Sequence, residues 1–161
     1  MERDILQEIF KTAMEIELTG MSFYNLAAEK STILQTREVF LSLAKDETQH
    51  LSWLVSEAKN YFKSGYYPAP TAFKSPGTFP EIIPTQSIDA DFEISALNIG
   101  LLLEKNSIEF YRKALTNSKN ESSNTLYLKL ISWEEKHFNL LQKELEVIRR
   151  EYWEKAQFQP F

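Results

Sequence analysis

The sequence predicts an all-α chain folded as a four-helix bundle with a long crossover between its second and third helices. Three observations predict it. The chain has 161 residues, 43% of them apolar, and only four glycines, a composition that favours one helix-rich globular domain with its own core. Four long stretches carry apolar residues at spacings of three and four, the period of a helix buried on one face. Five of the six prolines (Pro68, Pro70, Pro76, Pro80 and Pro84) fall between the second and third of these stretches.

The first helix is expected at about residues 4–30, with a stripe of Leu6, Phe10, Ala13, Glu17, Gly20, Tyr24 and Ala27. Glu17 stands where an apolar residue belongs. A charge there is costly unless compensated, by a structural ion pair or by a metal. Ser31 and Thr32 break the pattern and are suited to cap the second helix. That helix is expected at about 33–62, with Phe40, Leu43, Glu47, His50, Leu54 and Tyr61 on its stripe. Residues 64–88 hold the prolines and no helix. A loop of this length needs a reason. If the second and third helices point the same way, the chain must cross the whole bundle, about 45 Å for roughly 30 helical residues. Tyr66, Tyr67, Phe73 and Phe79 are suited to pin that crossing to the bundle surface.

The third helix is expected at about 89–117, with Asp89 or Asp91 at its start and a stripe of Leu97, Gly100, Glu104, Ser107, Tyr111 and Ala114. Residues 117–120 break the chain. The fourth helix is expected at about 122–155, through Tyr127, Leu130, Glu134, His137, Leu141, Leu145 and Ile148, followed by an aromatic tail of Tyr152, Trp153, Phe158 and Phe161.

Several functions are disfavoured at once. The net charge of −5 argues against nucleic acid as a partner. With no cysteine, disulfides, zinc fingers, iron–sulfur clusters and thiol catalysis are excluded, and a cytoplasmic setting is expected. The N-terminus has no apolar signal core, and no apolar run approaches a membrane span.

The chemistry lies in a repeat. The chain has two histidines, each with a glutamate three residues earlier: Glu47/His50 and Glu134/His137. Residues three apart on a helix share a face, and a carboxylate with an imidazole suits iron, manganese or zinc. With 19 glutamates in the chain, both pairs arise by chance about once in a hundred such sequences. Shifting the chain by 87 residues superposes Glu17 on Glu104, Phe23-Tyr24 on Phe110-Tyr111, Glu47 on Glu134 and His50 on His137. Each half is thus a helical hairpin with a lone glutamate on one helix and Glu-x-x-His on the next. Two such hairpins packed face to face bring four carboxylates and two imidazoles to the bundle centre, the arrangement of di-iron or di-manganese sites in ferritin-like proteins. Four carboxylates neutralise two divalent ions, whereas the same set without metal crowds like charges in a dry core.

Glu17, Glu47-Thr48-Gln49-His50, Glu104 and Glu134-Glu135-Lys136-His137, with Phe-Tyr six residues after each lone glutamate, resemble the rubrerythrin group of the ferritin-like superfamily. The resemblance implies a ferritin-like bundle in which Glu47 and Glu134 bridge two metals. Glu17 with His50 then completes one position, and Glu104 with His137 the other. It implies two iron ions as cofactor, with manganese or zinc as alternatives. It also implies reduction of hydrogen peroxide or dioxygen by an oxidoreductase that draws electrons from an external donor, rubredoxin-like or another reductase. A homodimer is expected. Two departures stand out. The cysteine-bearing rubredoxin domain typical of the group is missing. So is its seventh ligand, a glutamate three residues after the third-helix glutamate, which here is Ser107 (repeat mate Gly20). The remaining six-ligand set is closer to that of bacterioferritin. Tyr24 and Tyr111 are either plain core residues, hydrogen-bond donors to a ligand carboxylate across the bundle, or a radical and electron relay. Asp46 is placed to orient the histidine of the opposite hairpin. Its repeat mate is Trp133, so the two metal positions are expected to differ. The other functions in view are ferroxidation with iron storage or delivery, hydroxylation of an organic substrate, and a metal-stabilised binding module. Against storage, the chain leaves no room for the short fifth helix of cage-forming ferritins.

Overall fold

A computed structural model describes residues 2–62 and 90–157. The described residues form four helices, α1 Glu2–Lys30, α2 Leu34–Phe62, α3 Asp91–Asn117 and α4 Glu121–Gln157. Helix α1 packs mainly on α2 and α3 mainly on α4, so the bundle is two hairpins laid face to face. The expected Pro-rich crossover of 64–88, with Tyr66, Tyr67, Phe73 and Phe79, lies outside the described residues, as do Asp89, Phe158 and Phe161.

Two apolar clusters fill the bundle, one towards each end. The first gathers Tyr24, Ala27, Phe40, Leu43, Leu97, Leu141 and Leu145. The second gathers Leu6, Phe10, Leu54, Phe62, Tyr111, Tyr127 and Leu130. Phe62, the last residue of α2, lies in the second cluster, while Ala90, just before α3, lies in the first. Helices α2 and α3 therefore run in the same direction, and the residues between them connect opposite ends of the bundle. The 87-residue repeat is visible in the packing. Tyr24 stacks on Phe40 with ring centroids 6.1 Å apart, and their repeat mates Tyr111 and Tyr127 stack at 6.2 Å.

Nearly all of the expected stripes are buried. Tyr61 is the exception, 37% exposed, and Ala58 and Phe62 take its place in the core. Steps of four from His50 through Leu54 reach 58 and 62, so position 61 falls one residue out of phase. Ser31 and Thr32 do not cap α2 with their own side chains. Instead the buried Glu93 carboxylate of α3 accepts the backbone N–H of Thr32 at 2.8 Å and of Ile33 at 3.3 Å, with the Ser31 hydroxyl at 3.0 Å. The start of α3 has Ala90 at its cap position with no side-chain cap, and Asp91 in the first turn. Asn120 caps α4, its Oδ1 accepting the Ser123 N–H at 2.8 Å. Near the end of α4, Tyr152 and Trp153 are exposed.

Candidate metal centre

Between the two apolar clusters each helix turns a charged residue inward. Glu17 (α1), Glu47 and His50 (α2), Glu104 (α3), and Glu134 and His137 (α4) are all buried, none more than 4% exposed. The helical period that buries Leu43 and Leu54 also buries Glu47 and His50 between them, and the same holds for Leu130, Glu134, His137 and Leu141. The rings of His50 and His137 stack with centroids 5.3 Å apart.

The six side chains form two overlapping groups. Glu17, Glu47, His50 and Glu134 bring one donor atom each to within 4.8 Å of one another, as do Glu47, Glu104, Glu134 and His137. His50 Nδ1 stands 3.1 Å from Glu17 and from Glu134, and 3.5 Å from Glu47. His137 Nδ1 stands 3.4 Å from Glu47, 3.5 Å from Glu134 and 3.6 Å from Glu104. Glu47 and Glu134 belong to both groups.

The donor set fits a pair of metal ions. His137 Nδ1, Glu104 Oε2 and both Glu134 oxygens are buried with no hydrogen-bond partner among the described residues, although Glu104 Oε2 and Glu134 Oε2 stand within 3.6 Å of His137 Nδ1 and Glu134 Oε1 stands 3.1 Å from His50 Nδ1. Donor atoms that approach closely without aiming at one another are placed to share a point between them. Buried polar atoms rarely stay unpaired, and oxygen with imidazole donors suits iron, manganese or zinc. Without metal, the cluster must protect itself with protons. Burial, then the charges of Glu47 and Glu134, push Glu17 well above the usual carboxyl range. Burial and the close-lying Glu134 carboxylate do the same to Glu104. Burial acts against Glu47 and Glu134 as well, but the close approach of their acidic neighbours and of both histidines outweighs it and holds the two low. The same carboxylates overcome burial at the imidazoles, raising His50 to about 11 and His137 further.

Both tyrosines reach the centre across the bundle. Tyr24 donates its hydroxyl to Glu104 Oε1, and Tyr111 donates to Glu17 Oε1. Burial and these carboxylates push both phenols well above their ordinary value, so each keeps its proton and acts as a donor. The histidines are not equivalent. His137 Nε2 faces Asp46 Oδ2 at 3.4 Å, whereas His50 Nε2 is buried without a partner among the described residues. The His50 ring lies against Trp53 at 5.3 Å and Trp133 at 6.0 Å. Ser107 is buried and ties its hydroxyl back to Leu103 O at 3.1 Å.

Two further buried carboxylates were not singled out from sequence. Glu93 holds the α1–α2 turn as described above, and Glu144 accepts Thr36 Oγ1 at 2.8 Å and Gln35 Nε2 at 3.0 Å. Both lie on the apolar stripes of their helices, so the criterion that found Glu17 also reaches them.

Four helices converging on four carboxylates and two histidines define a bundle of the ferritin-like class, with a buried cluster suited to a di-iron site. The sequence matches the Rubrerythrin family over residues 8–145, and the chain belongs to that family. Solved structures share the fold. A hypothetical protein from Pyrococcus furiosus is 24% identical with a TM-score of 0.74, covering 90% of each chain. A dodecameric thioferritin from Bacteroides fragilis, a bacterioferritin-related protein, is 19% identical with a TM-score of 0.73, covering 98% of this chain and 92% of its own. The bacterioferritin BfrA of Mycobacterium tuberculosis is 15% identical with a TM-score of 0.64, covering 89% and 86%. A search of curated proteins returns no match. Among the described residues no helix is long and apolar enough to cross a membrane.

Proposed function

We propose that this protein is a di-iron oxidoreductase that reduces hydrogen peroxide or dioxygen with electrons from an external donor, and that it works as a homodimer. The observation that carries the reading is the pair of overlapping ligand groups sharing Glu47 and Glu134. Two reduced iron ions bound there supply the two electrons needed to cleave an O–O bond. The chain's own residues do the rest. Glu47 and Glu134 are held in common by both positions. Glu17 with His50, and Glu104 with His137, complete one position each. Tyr24 and Tyr111 hold a proton at Glu104 Oε1 and Glu17 Oε1, which fixes the rotamers of both carboxylates. Asp46 fixes the His137 ring, as outer carboxylates do for metal-ligating histidines. The apolar clusters cover the centre from both ends of the bundle.

The test is elemental analysis of protein purified without oxygen, followed by stopped-flow oxidation of the ferrous form by peroxide. Two irons per chain and oxidation faster than that of free iron are expected. A rate no faster than free iron rules the reading out. Iron storage is the second reading, favoured by the likeness to a dodecameric thioferritin. Size-exclusion chromatography separates the two: a shell of twelve or more subunits supports storage, and a dimer supports the enzyme.

A further inference from the structure

A cleft of about 260 Å³ opens in the seam between α1 and α3 and reaches down to the centre. Its rim includes the exposed Asn106 and the half-buried Thr12, and its floor is formed by the buried Glu47 and Glu104. Two repeat mates, Gly20 and Ser107, line it, the second at the position where the resemblance noted above would place a glutamate. At Gly20 the fit is tight, since a Cβ there would stand 3.2 Å from Glu47 Cδ.

The walls are apolar in practice. The Ser107 hydroxyl is spent on Leu103 O, and the Thr19 hydroxyl donates to Glu15 O at 2.7 Å. Both line the cleft beside the apolar Ile16 and Leu103. The floor is polar and acidic. Tyr24 engages one oxygen of Glu104, while the other, Oε2, is buried with no hydrogen-bond partner among the described residues. Among the described residues no lysine or arginine lines the space, but Glu15, Glu47 and Glu104 do, so an anion is repelled. The volume lies below the roughly 300–1,000 Å³ of pockets for drug-sized ligands. The matching guest is small and uncharged, with an apolar body and one polar end directed at the floor.

We propose that this cleft binds the organic part of a small neutral alkyl hydroperoxide and presents its O–O group to the Glu47/Glu104 edge of the centre; this rests on the peroxide-reducing reading above. The reaction is ROOH + 2e⁻ + 2H⁺ → ROH + H₂O. The O–O bond breaks and two O–H bonds form. The electrons come from the reduced metal pair, one per ion, and are restored by an external one-electron donor. Hydrogen peroxide has no apolar body to fill such walls.

The experiment uses the zinc-loaded full chain and 2-phenyl-2-propanol, the alcohol left by cumene hydroperoxide, followed by amide chemical shifts. Saturable shifts at Thr19, Gly20 and Ser107 are expected. Ser107→Leu fills the cleft and should weaken binding at least tenfold, since a single methylene in an apolar pocket is worth roughly 10–200-fold. Thr19→Leu, at a half-buried position, is the second probe should the first variant fail to fold. With iron loaded, Ser107→Leu should lower the ratio of kcat/KM for cumene hydroperoxide over hydrogen peroxide at least tenfold. Absence of saturable shifts at these residues, or unaltered affinity in the folded variants, overturns the proposal. Peroxide turnover without alcohol binding removes the cleft and keeps the peroxidase reading. Alcohol binding by a protein inert to every peroxide removes that reading and the hydroperoxide assignment with it, leaving an organic-binding cleft.

Discussion

Loading two divalent ions at pH 7 is predicted to release four protons per chain, and the count follows from the charge of the cluster. Without metal, the shifts favour the protonated forms of Glu17 and Glu104, the ionised forms of Glu47 and Glu134, and the cationic forms of both imidazoles. Two carboxylates and two imidazoliums sum to zero, the balance a dry core requires. With two divalent ions bound, four carboxylates and two neutral imidazoles again sum to zero. The difference is one proton each from Glu17, Glu104, His50 and His137, two per ion. Affinity per ion should therefore rise about a hundredfold per pH unit, about 2.7 kcal/mol. Titration calorimetry with zinc in buffers of different ionisation enthalpy counts the protons. Glu104→Gln keeps an acceptor for Tyr24 and should bring the count to three. A release of two or fewer in the unaltered protein would show that the cluster is not neutralised by protons and refute the reasoning.

The remaining predictions follow from single contacts. The metal-free protein should lose stability as pH rises from about 5 to 9: a raised carboxyl folds with an extra proton, and a histidine raised to about 11 stabilises fully below its unfolded value and loses that contribution as pH climbs towards 11; a melting temperature that rises over this range would contradict it. Tyr24→Phe keeps the stack on Phe40 but leaves Glu104 Oε1 without its donor, costing about 1–3 kcal/mol, measured by denaturant unfolding. Gly100→Ala puts a Cβ 3.1 Å from Leu141 Cδ1 and 3.3 Å from Tyr24 Cε1, an overpacking cost of about 1–3 kcal/mol; the double variant with Leu141→Val should recover part of it in a mutant cycle. Asp46→Asn weakens the hold on His137 alone, so a two-step metal titration should show one position falling about 10–100-fold and the other unchanged.

Much of this was legible in the sequence, for a definite reason. A charge set at helical period within an apolar stripe is conspicuous, and an 87-residue repeat shows that it occurs twice. That was enough to select Glu17, Glu47, His50, Glu104, Glu134 and His137, which the fold brings together. The Asp46/Trp133 mismatch likewise marked the difference between the two histidines. Other features depend on how one hairpin registers against the other, which no local pattern encodes. The choice of Nδ1 as the inward nitrogen, the pairing of each tyrosine with the lone glutamate of the other hairpin, and the turn held by Glu93 are of this kind. The cleft is another: Gly20 and Ser107 lie 87 residues apart and line one space only because α1 and α3 adjoin. Tyr61 went astray because it neighbours the residue that is in phase.

Each ligand group draws three side chains from one hairpin and one from the other: Glu134 joins Glu17, Glu47 and His50, while Glu47 joins Glu104, Glu134 and His137. In polymer terms, the proposed ions are cross-links between distant parts of the chain. Glu17 and Glu134 are 117 positions apart, and closing a loop of that span removes about 4–5 kcal/mol of unfolded-chain entropy by the chain-entropy model for cross-links. Helices within a hairpin pack mainly on each other, so the proposed ions would add to the apolar clusters and tyrosine bonds that already join the two hairpins. The lifetime of the folded protein against proteases should thereby follow the supply of its metal, with chains left empty cleared first.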